Sequence, residues 1–212
     1  MKERPILFSA PMVCAILEGR KPQTRRIVRP QFEYQGFDGP PKFNTTFGYF
    51  SSPSQHGVKC PYGIPSDRLW VKEALVASTN GRFSIARYAA DSMYVEPRGE
   101  AWVQQYPDGT CATAWQWRRN KLPSIHMPRW ASRITLQITD IRVERLMEIS
   151  EEDAKAEGIY LLSGTGGGWK HAPGEQEYDT AKEAYAALWQ SINGPGSWDK
   201  NPWVWVVEFE RI

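Results

Sequence analysis

Arg133-Ile134-Thr135-Leu136-Gln137-Ile138-Thr139-Asp140-Ile141-Arg142-Val143-Glu144-Arg145-Leu146 is the stretch on which the fold turns. Apolar residues hold the even positions from Ile134 to Ile138, then move to odd positions at Ile141 and Val143. Alternation of this kind predicts a half-buried strand. The one-residue slip predicts a bulge or bend, as a small closed barrel requires.

Other elements extend outward from that strand. The tail Trp203-Val204-Trp205-Val206-Val207-Glu208-Phe209 is almost continuously apolar and belongs in the middle of a sheet. Arg68 to Val76 predicts a further strand, with Ile85 to Ala90 as its partner. Trp102 to Tyr106 and Thr110 to Trp117 predict a hairpin across Pro107-Asp108-Gly109. Residues 4–10 predict a short strand leading into a helix, with Pro11 in its first turn and Gly19 as its stop. Ser150, with Asp153 three residues on, caps a second helix that ends at Gly158. Ala181, Ala184, Tyr185, Leu188, Trp189 and Ile192 mark an amphipathic helix closed by Asn193-Gly194. Residues 30–66 lack a sustained period and predict an irregular excursion. Residues 163–177 predict a glycine-rich connector, because Gly164-Thr165-Gly166-Gly167-Gly168 lacks the Lys-Ser/Thr ending of a phosphate loop. The sum is an α+β chain over 1–212: one mostly antiparallel sheet, expected to close, with helices packed at its ends.

Composition narrows the function classes. The 212 residues suffice for one well-buried domain. A formal net charge of +2 argues against wholesale wrapping of nucleic acid, so RNA contact would come from a local basic patch. Without a run of about 18 apolar residues, no membrane partner is expected. Met1 to Leu17 lacks the pattern of a signal peptide. Cys14, Cys60 and Cys111 are odd in number and lack a C-x-x-C motif, which points to reduced thiols and a cytoplasmic location. His56, His126 and His171 are scattered, and no metal or other cofactor is expected.

The segment from Arg20 to Arg29 holds five cations and no acid. Lys21 follows a helix C-terminus and is crowded by Arg20, Arg25 and Arg26, which lowers a lysine pKa, as burial also does. A lysine tuned in this way acts as a base, and Thr24, three residues on, offers it a hydroxyl to activate. The alternative is a solvated basic loop that touches phosphates. Glu157 stands in the last turn of its helix, where a carboxylate opposes the helix dipole. It is either an ordinary exposed acid or a carboxyl that donates a proton. Glu73, within the strand after Asp67, either meets a base edge, pairs with Arg26, or makes a plain strand salt bridge. From Trp115 to Trp130, aromatics and cations are interleaved, which suits stacking and phosphate contact, or a core of Met127 and Trp130 beneath solvated cations.

Gly19-Arg20-Lys21-Pro22-Gln23-Thr24-Arg25-Arg26 resembles the G-x-K-x-x-T-x-R signature of ASCH domains. Asp67-Arg68-Leu69-Trp70-Val71-Lys72-Glu73 resembles the family's G-D-x-L-W-V-R-E strand, with Ser66 where Gly is usual. Ile149 to Ile159, Pro123 to Arg133 and Ile192 to Trp205 are similar to further ASCH segments of phage and prophage type. The resemblance implies a PUA-like barrel with insertions at about 30–66, 91–124 and 160–177. It implies a nucleoside or nucleobase substrate and, from one bacterial branch, hydrolysis of N4-acetylcytidine to cytidine and acetate. Lys21, Thr24 and Glu157 then fall on the catalytic positions. Arg20, Arg26, Trp70, Glu73 and Arg129 become the candidate substrate-binding residues. Two other readings are a non-catalytic RNA-binding module and a ribonuclease.

Overall fold

The computed structural model describes residues 1–31, 42–44, 48–52, 55–80, 83–106, 109–162, 167–171 and 176–212. In chain order the elements begin with β1 (Glu3–Leu7), α1 (Ala10–Leu17), β2 (Gln23–Ile27), β3 (Lys42–Asn44), β4 (Tyr49–Ser52) and β5 (Gln55–Lys59). Next come β6 (Arg68–Lys72), β7 (Leu75–Asn80), β8 (Phe83–Tyr88), β9 (Val103–Gln105), β10 (Cys111–Thr113) and β11 (Lys121–Leu122). The chain continues through β12 (Thr135–Arg145), α2 (Glu151–Ala156), β13 (Tyr160–Leu161), β14 (Trp169–Lys170), α3 (Ala181–Asn193) and β15 (Trp203–Arg211). The fold is mixed α+β. None of the helices among the described residues is long and apolar enough to cross a membrane.

Five strands hydrogen-bond in the order β1-β6-β12-β15-β2. The apolar tail, β15, is therefore an interior strand. Its antiparallel ladder with β2 runs from Val204↔Ile27 to Glu208↔Gln23. The bonds Leu146 N→Pro202 O (3.0 Å) and Ile212 N→Thr135 O (3.1 Å) set β12 antiparallel to β15. Arg68 N→Lys2 O (2.8 Å) and Phe8 N→Lys72 O (3.1 Å) rise together, so β1 and β6 run parallel within a mostly antiparallel pattern. The slip in β12 is real: Leu136 and Ile138 are buried, Thr139 and Asp140 are both exposed, and Ile141 is buried again.

Three expectations need correction. The one sheet expected is several: besides the five-stranded order, the described strands hydrogen-bond in separate groups of three and two. The strand predicted from Arg68 to Val76 breaks at Glu73-Ala74. β6 joins the five-stranded order, whereas β7 pairs with β8, from Leu75↔Tyr88 to Asn80↔Phe83. The break has a tertiary cause. Glu73 N donates to Met127 Sδ (3.1 Å) instead of a ladder carbonyl, and the Glu73 side chain turns inward. The excursion predicted over 30–66 contains an antiparallel sheet, β3-β4-β5, with Lys42↔Ser51 and Tyr49↔Lys59 in register. Its strands are too short to show a period. The rest of that expectation, at 32–41, 45–47 and 53–54, lies outside the described residues, as do Pro107-Asp108 and the connector at 163–166 and 172–175. Within the remainder of the connector, β13 pairs with β14, and Trp169 bridges Tyr178.

The chain divides into two compact units, 1–2 with 15–68 and 137–211, and 3–14 with 69–136 and 212. In the first, Ile149 and Ala154 beside or on α2, Ala184, Tyr185 and Trp189 on α3, and Val204 and Val206 on β15 share a core. A capping box starts α3: Glu183 N donates to Thr180 Oγ1 (3.1 Å) and Thr180 N to Glu183 Oε2 (3.2 Å). In the second, Leu75, Ala86, Tyr88, Val95 and Met127 form the core, with Trp115, Trp117 and Trp130 packed on it.

Candidate functional site

The first unit holds the basic segment. α1 ends before Gly19 (φ 75°), and the amides of Arg20 and Lys21 both turn back to Ala15 O (2.9 and 3.2 Å). That turn points Lys21 inward before β2 begins. Along β2, Gln23, Arg25 and Ile27 lie opposite Glu208, Val206 and Val204. Since Val204 and Val206 belong to the core under α2 and α3, Arg25 and Gln23 face α2 as well. Gln23 Nε2 donates to Asp153 O (3.0 Å), and Arg25 Nη2 donates to Asp153 Oδ2 (2.7 Å) and Glu144 Oε2 (3.0 Å). Thr24 and Arg26 pair with Val207 and Trp205 and alternate to the other side of the strand.

α2 is positioned to meet them. Ser150 caps it, its Oγ accepting from Asp153 N (3.0 Å). Glu157 is its C-cap residue, and Gly158 (φ 96°) reverses the chain. A Cβ at Gly158 would stand 3.1 Å from Ala15 Cβ and 3.5 Å from Lys21 Cβ, so the reversal needs glycine for both conformation and space.

Lys21 Nζ donates to Glu157 Oε2 and to Glu157 O, both at 2.7 Å. The two side chains are 0 % and 2 % exposed, which makes this a dry ion pair. Arg25 Nη1 reaches Glu157 Oε1 at 3.3 Å. The position of Glu157 against the helix dipole is thereby resolved, since Lys21 covers both its carboxylate and its backbone carbonyl. Burial pulls the Lys21 amine below its usual range, although Glu157 opposes that shift. For Arg25, burial acts downward too, but Glu157, Tyr185 and Asp153 outweigh it and hold the guanidinium above its usual value. Burial, with Glu157 next, raises the Tyr185 phenol well above its usual value. Arg20 Nη1 donates to Gly158 O (3.0 Å), and its guanidinium lies 5.0 Å from the Tyr160 ring centre. Arg20 thus clamps the end of α2.

The side of β2 that carries Arg26 borders a cavity of about 410 Å³, lined among others by Arg26, Arg29, Lys59, Tyr62, Asn193 and Trp205.

The remaining candidates belong to the second unit. Both oxygens of the buried Glu73 carboxylate accept from Arg133, at 2.8 and 2.9 Å. Arg133 also donates to Asp91 Oδ2 (2.6 Å) and lies 3.8 Å from the Tyr88 ring centre. Of the alternatives for Glu73, these bonds support the salt bridge, with Arg133 and not Arg26 as partner. Burial raises the Glu73 carboxyl, with Arg133 opposing, and raises the Tyr88 phenol to about 12. Trp70 lies under Arg129 (5.6 Å) and Lys72 (5.4 Å), and Arg129 also bonds Glu3 Oε2 (3.2 Å). Trp117 stacks on Trp130 (6.2 Å), and Met127 is buried, so these aromatics pack on one another and on the core.

The chain matches no family model, no curated protein and no solved structure.

Sequence reasoning singled out Lys21, Thr24 and Glu157, and the structure joins the first and third directly. It passed over Arg25, Asp153 and Tyr185, which complete the charged cluster. A signal for Arg25 was present: a guanidinium in the middle of a strand beside an apolar interior strand needs a buried acid. Lys59, Tyr62 and Asn193 carry no local motif, because the cavity gathers them from separate segments.

Proposed function

We propose that the chain is an ASCH-type, PUA-like domain that hydrolyses the N4-acyl amide of an acylated cytosine or cytidine. The buried Lys21–Glu157 contact carries this reading. Moving one proton within that pair converts ammonium and carboxylate into a free amine and a carboxylic acid. The neutral form contains the base and the acid that amide hydrolysis requires, and burial favours the free amine of Lys21.

In this reading Thr24 Oγ attacks the acyl carbon and its proton passes to Lys21 Nζ. By alternation Thr24 leaves β2 on the side opposite Arg25, so the transfer requires Thr24 Oγ within hydrogen-bond reach of Lys21 Nζ or one bridging water. Arg26, on the same side as Thr24, stabilises the oxyanion. The carbon–nitrogen bond then breaks, and Glu157 supplies the proton taken up by the departing cytosine amine. Water cleaves the acyl–Thr24 ester, releases the carboxylic acid and restores the hydroxyl. The test is conversion of N4-acetylcytidine, and of longer acyl homologues, to cytidine by the folded chain. Absence of cytidine across the series overturns the reading.

A second reading, a non-catalytic module for RNA, is favoured by the cationic lining of the cavity. It requires steeply salt-dependent RNA affinity without turnover.

A further inference from the structure

The cavity in the first unit is assembled from separate segments. Arg26 comes from β2 and Trp205 from its register partner on β15. Arg29 follows β2, Lys59 ends β5, Tyr62 follows β5, and Asn193 ends α3. The volume, about 410 Å³, lies within the range of small-ligand sites, about 300–1,000 Å³. Three of the described lining residues are cations and none is a carboxylate. Such a lining favours an anion, and arginine matches the oxygens of a phosphate. Tyr62 is raised by burial while Arg26 and Arg29 pull it down, so both guanidiniums act on the phenol. Two aromatic side chains among cations suit a flat ring that carries a negative group. Asn193 Nδ2 donates to Trp189 O (3.1 Å), which leaves its Oδ1 as the acceptor for an exocyclic amine.

We propose that this cavity binds a nucleoside phosphate, with the phosphate on Arg29 and Lys59 and the base among Tyr62, Trp205 and Asn193. The inference rests on the amidohydrolase reading only for the choice of cytosine as base. It makes a phosphorylated form, as a mononucleotide or as a residue of an RNA strand, the preferred substrate over the free nucleoside.

The test is calorimetric titration of the full chain with cytidine, cytidine 5′-monophosphate and a cytidine hexanucleotide at one ionic strength. The monophosphate is expected to bind at least about tenfold more tightly than cytidine, the least that one charge-assisted contact confers. Arg29 and Lys59 are exposed, so the double variant Arg29→Gln/Lys59→Gln keeps the fold. It is expected to abolish that preference while cytidine binding stays within about threefold. Tighter binding of the hexanucleotide than of the monophosphate assigns the phosphate to a strand, and equal or weaker binding assigns it to a free nucleotide. Equal affinity for cytidine and its monophosphate, or a preference that survives the double variant, overturns the proposal. Turnover of free N4-acetylcytidine without the phosphate preference leaves the amidohydrolase reading and removes this one. The preference without turnover does the reverse.

Discussion

Lys21 Nζ lies 2.7 Å from Glu157 Oε2, with both side chains withdrawn from solvent. The two residues are 136 positions apart in the chain, and this bond ties the turn after α1 to the end of α2. Removing one partner of a buried pair strands the other charge, which costs about 3–5 kcal/mol. Lys21→Met leaves Glu157 with Arg25, so its cost is expected at the low end of that range. Glu157→Leu takes the carboxylate partner from Lys21 and one of three from Arg25, and is expected at the high end. The double variant Lys21→Met/Glu157→Leu should be more stable than Glu157→Leu alone. Urea unfolding of the four proteins checks this, and additive losses contradict it.

The pair also sets a pH dependence. The Lys21 pKa is lowered in the fold, chiefly by burial, so over a window below about 10.4 the unfolded chain binds more protons. Stability from this group therefore rises with pH, from the lowered folded value up to the ordinary lysine value. The stability of the wild-type chain relative to Lys21→Met is expected to grow as the pH rises towards about 10. Urea unfolding across that range measures it, and a difference that shrinks contradicts the sign.

Glu73 and Arg133 form the corresponding pair in the second unit. Arg133→Met leaves Glu73 buried without its bidentate partner and is expected to cost about 3–5 kcal/mol. For a chain of this size that is a fall in melting temperature of roughly 10 °C. Calorimetry checks it, and a shift within about 2 °C would deny Glu73 the structural role assigned to it.

Gly158→Ala is expected to cost about 1–3 kcal/mol, because the left-handed conformation and the contact at 3.1 Å with Ala15 both resist a side chain. Chemical denaturation measures the loss. Unchanged stability would mean that the end of α2 can shift without strain.

Much of this was legible in the sequence. The slip in β12, the interior place of β15, the Ser150 cap of α2 and the Asn193-Gly194 close of α3 rest on local patterns that packing reinforces. The split of β6 from β7 was not legible. Arg68 to Val76 reads as one strand, and only the distant Arg133 and Met127 explain why the chain turns at Glu73. Likewise β3, β4 and β5 are too short for periodicity to register. In the site, the crowded cations announced Lys21 and the dipole announced Glu157. The pairing of Arg25 with Asp153 stayed hidden because it depends on a helix that docks more than a hundred residues later.

The most direct measurement is the rate of N4-acetylcytidine hydrolysis by the wild-type chain beside Lys21→Met, Thr24→Val and Glu157→Gln, each confirmed folded by circular dichroism. The expected result is conversion to cytidine and acetate by the wild type. Loss of the base or of the acid should slow kcat by about 10²–10⁴-fold, and Thr24→Val should abolish turnover. A folded wild type without turnover, or a Thr24→Val variant that turns over at the wild-type rate, would contradict the assignment.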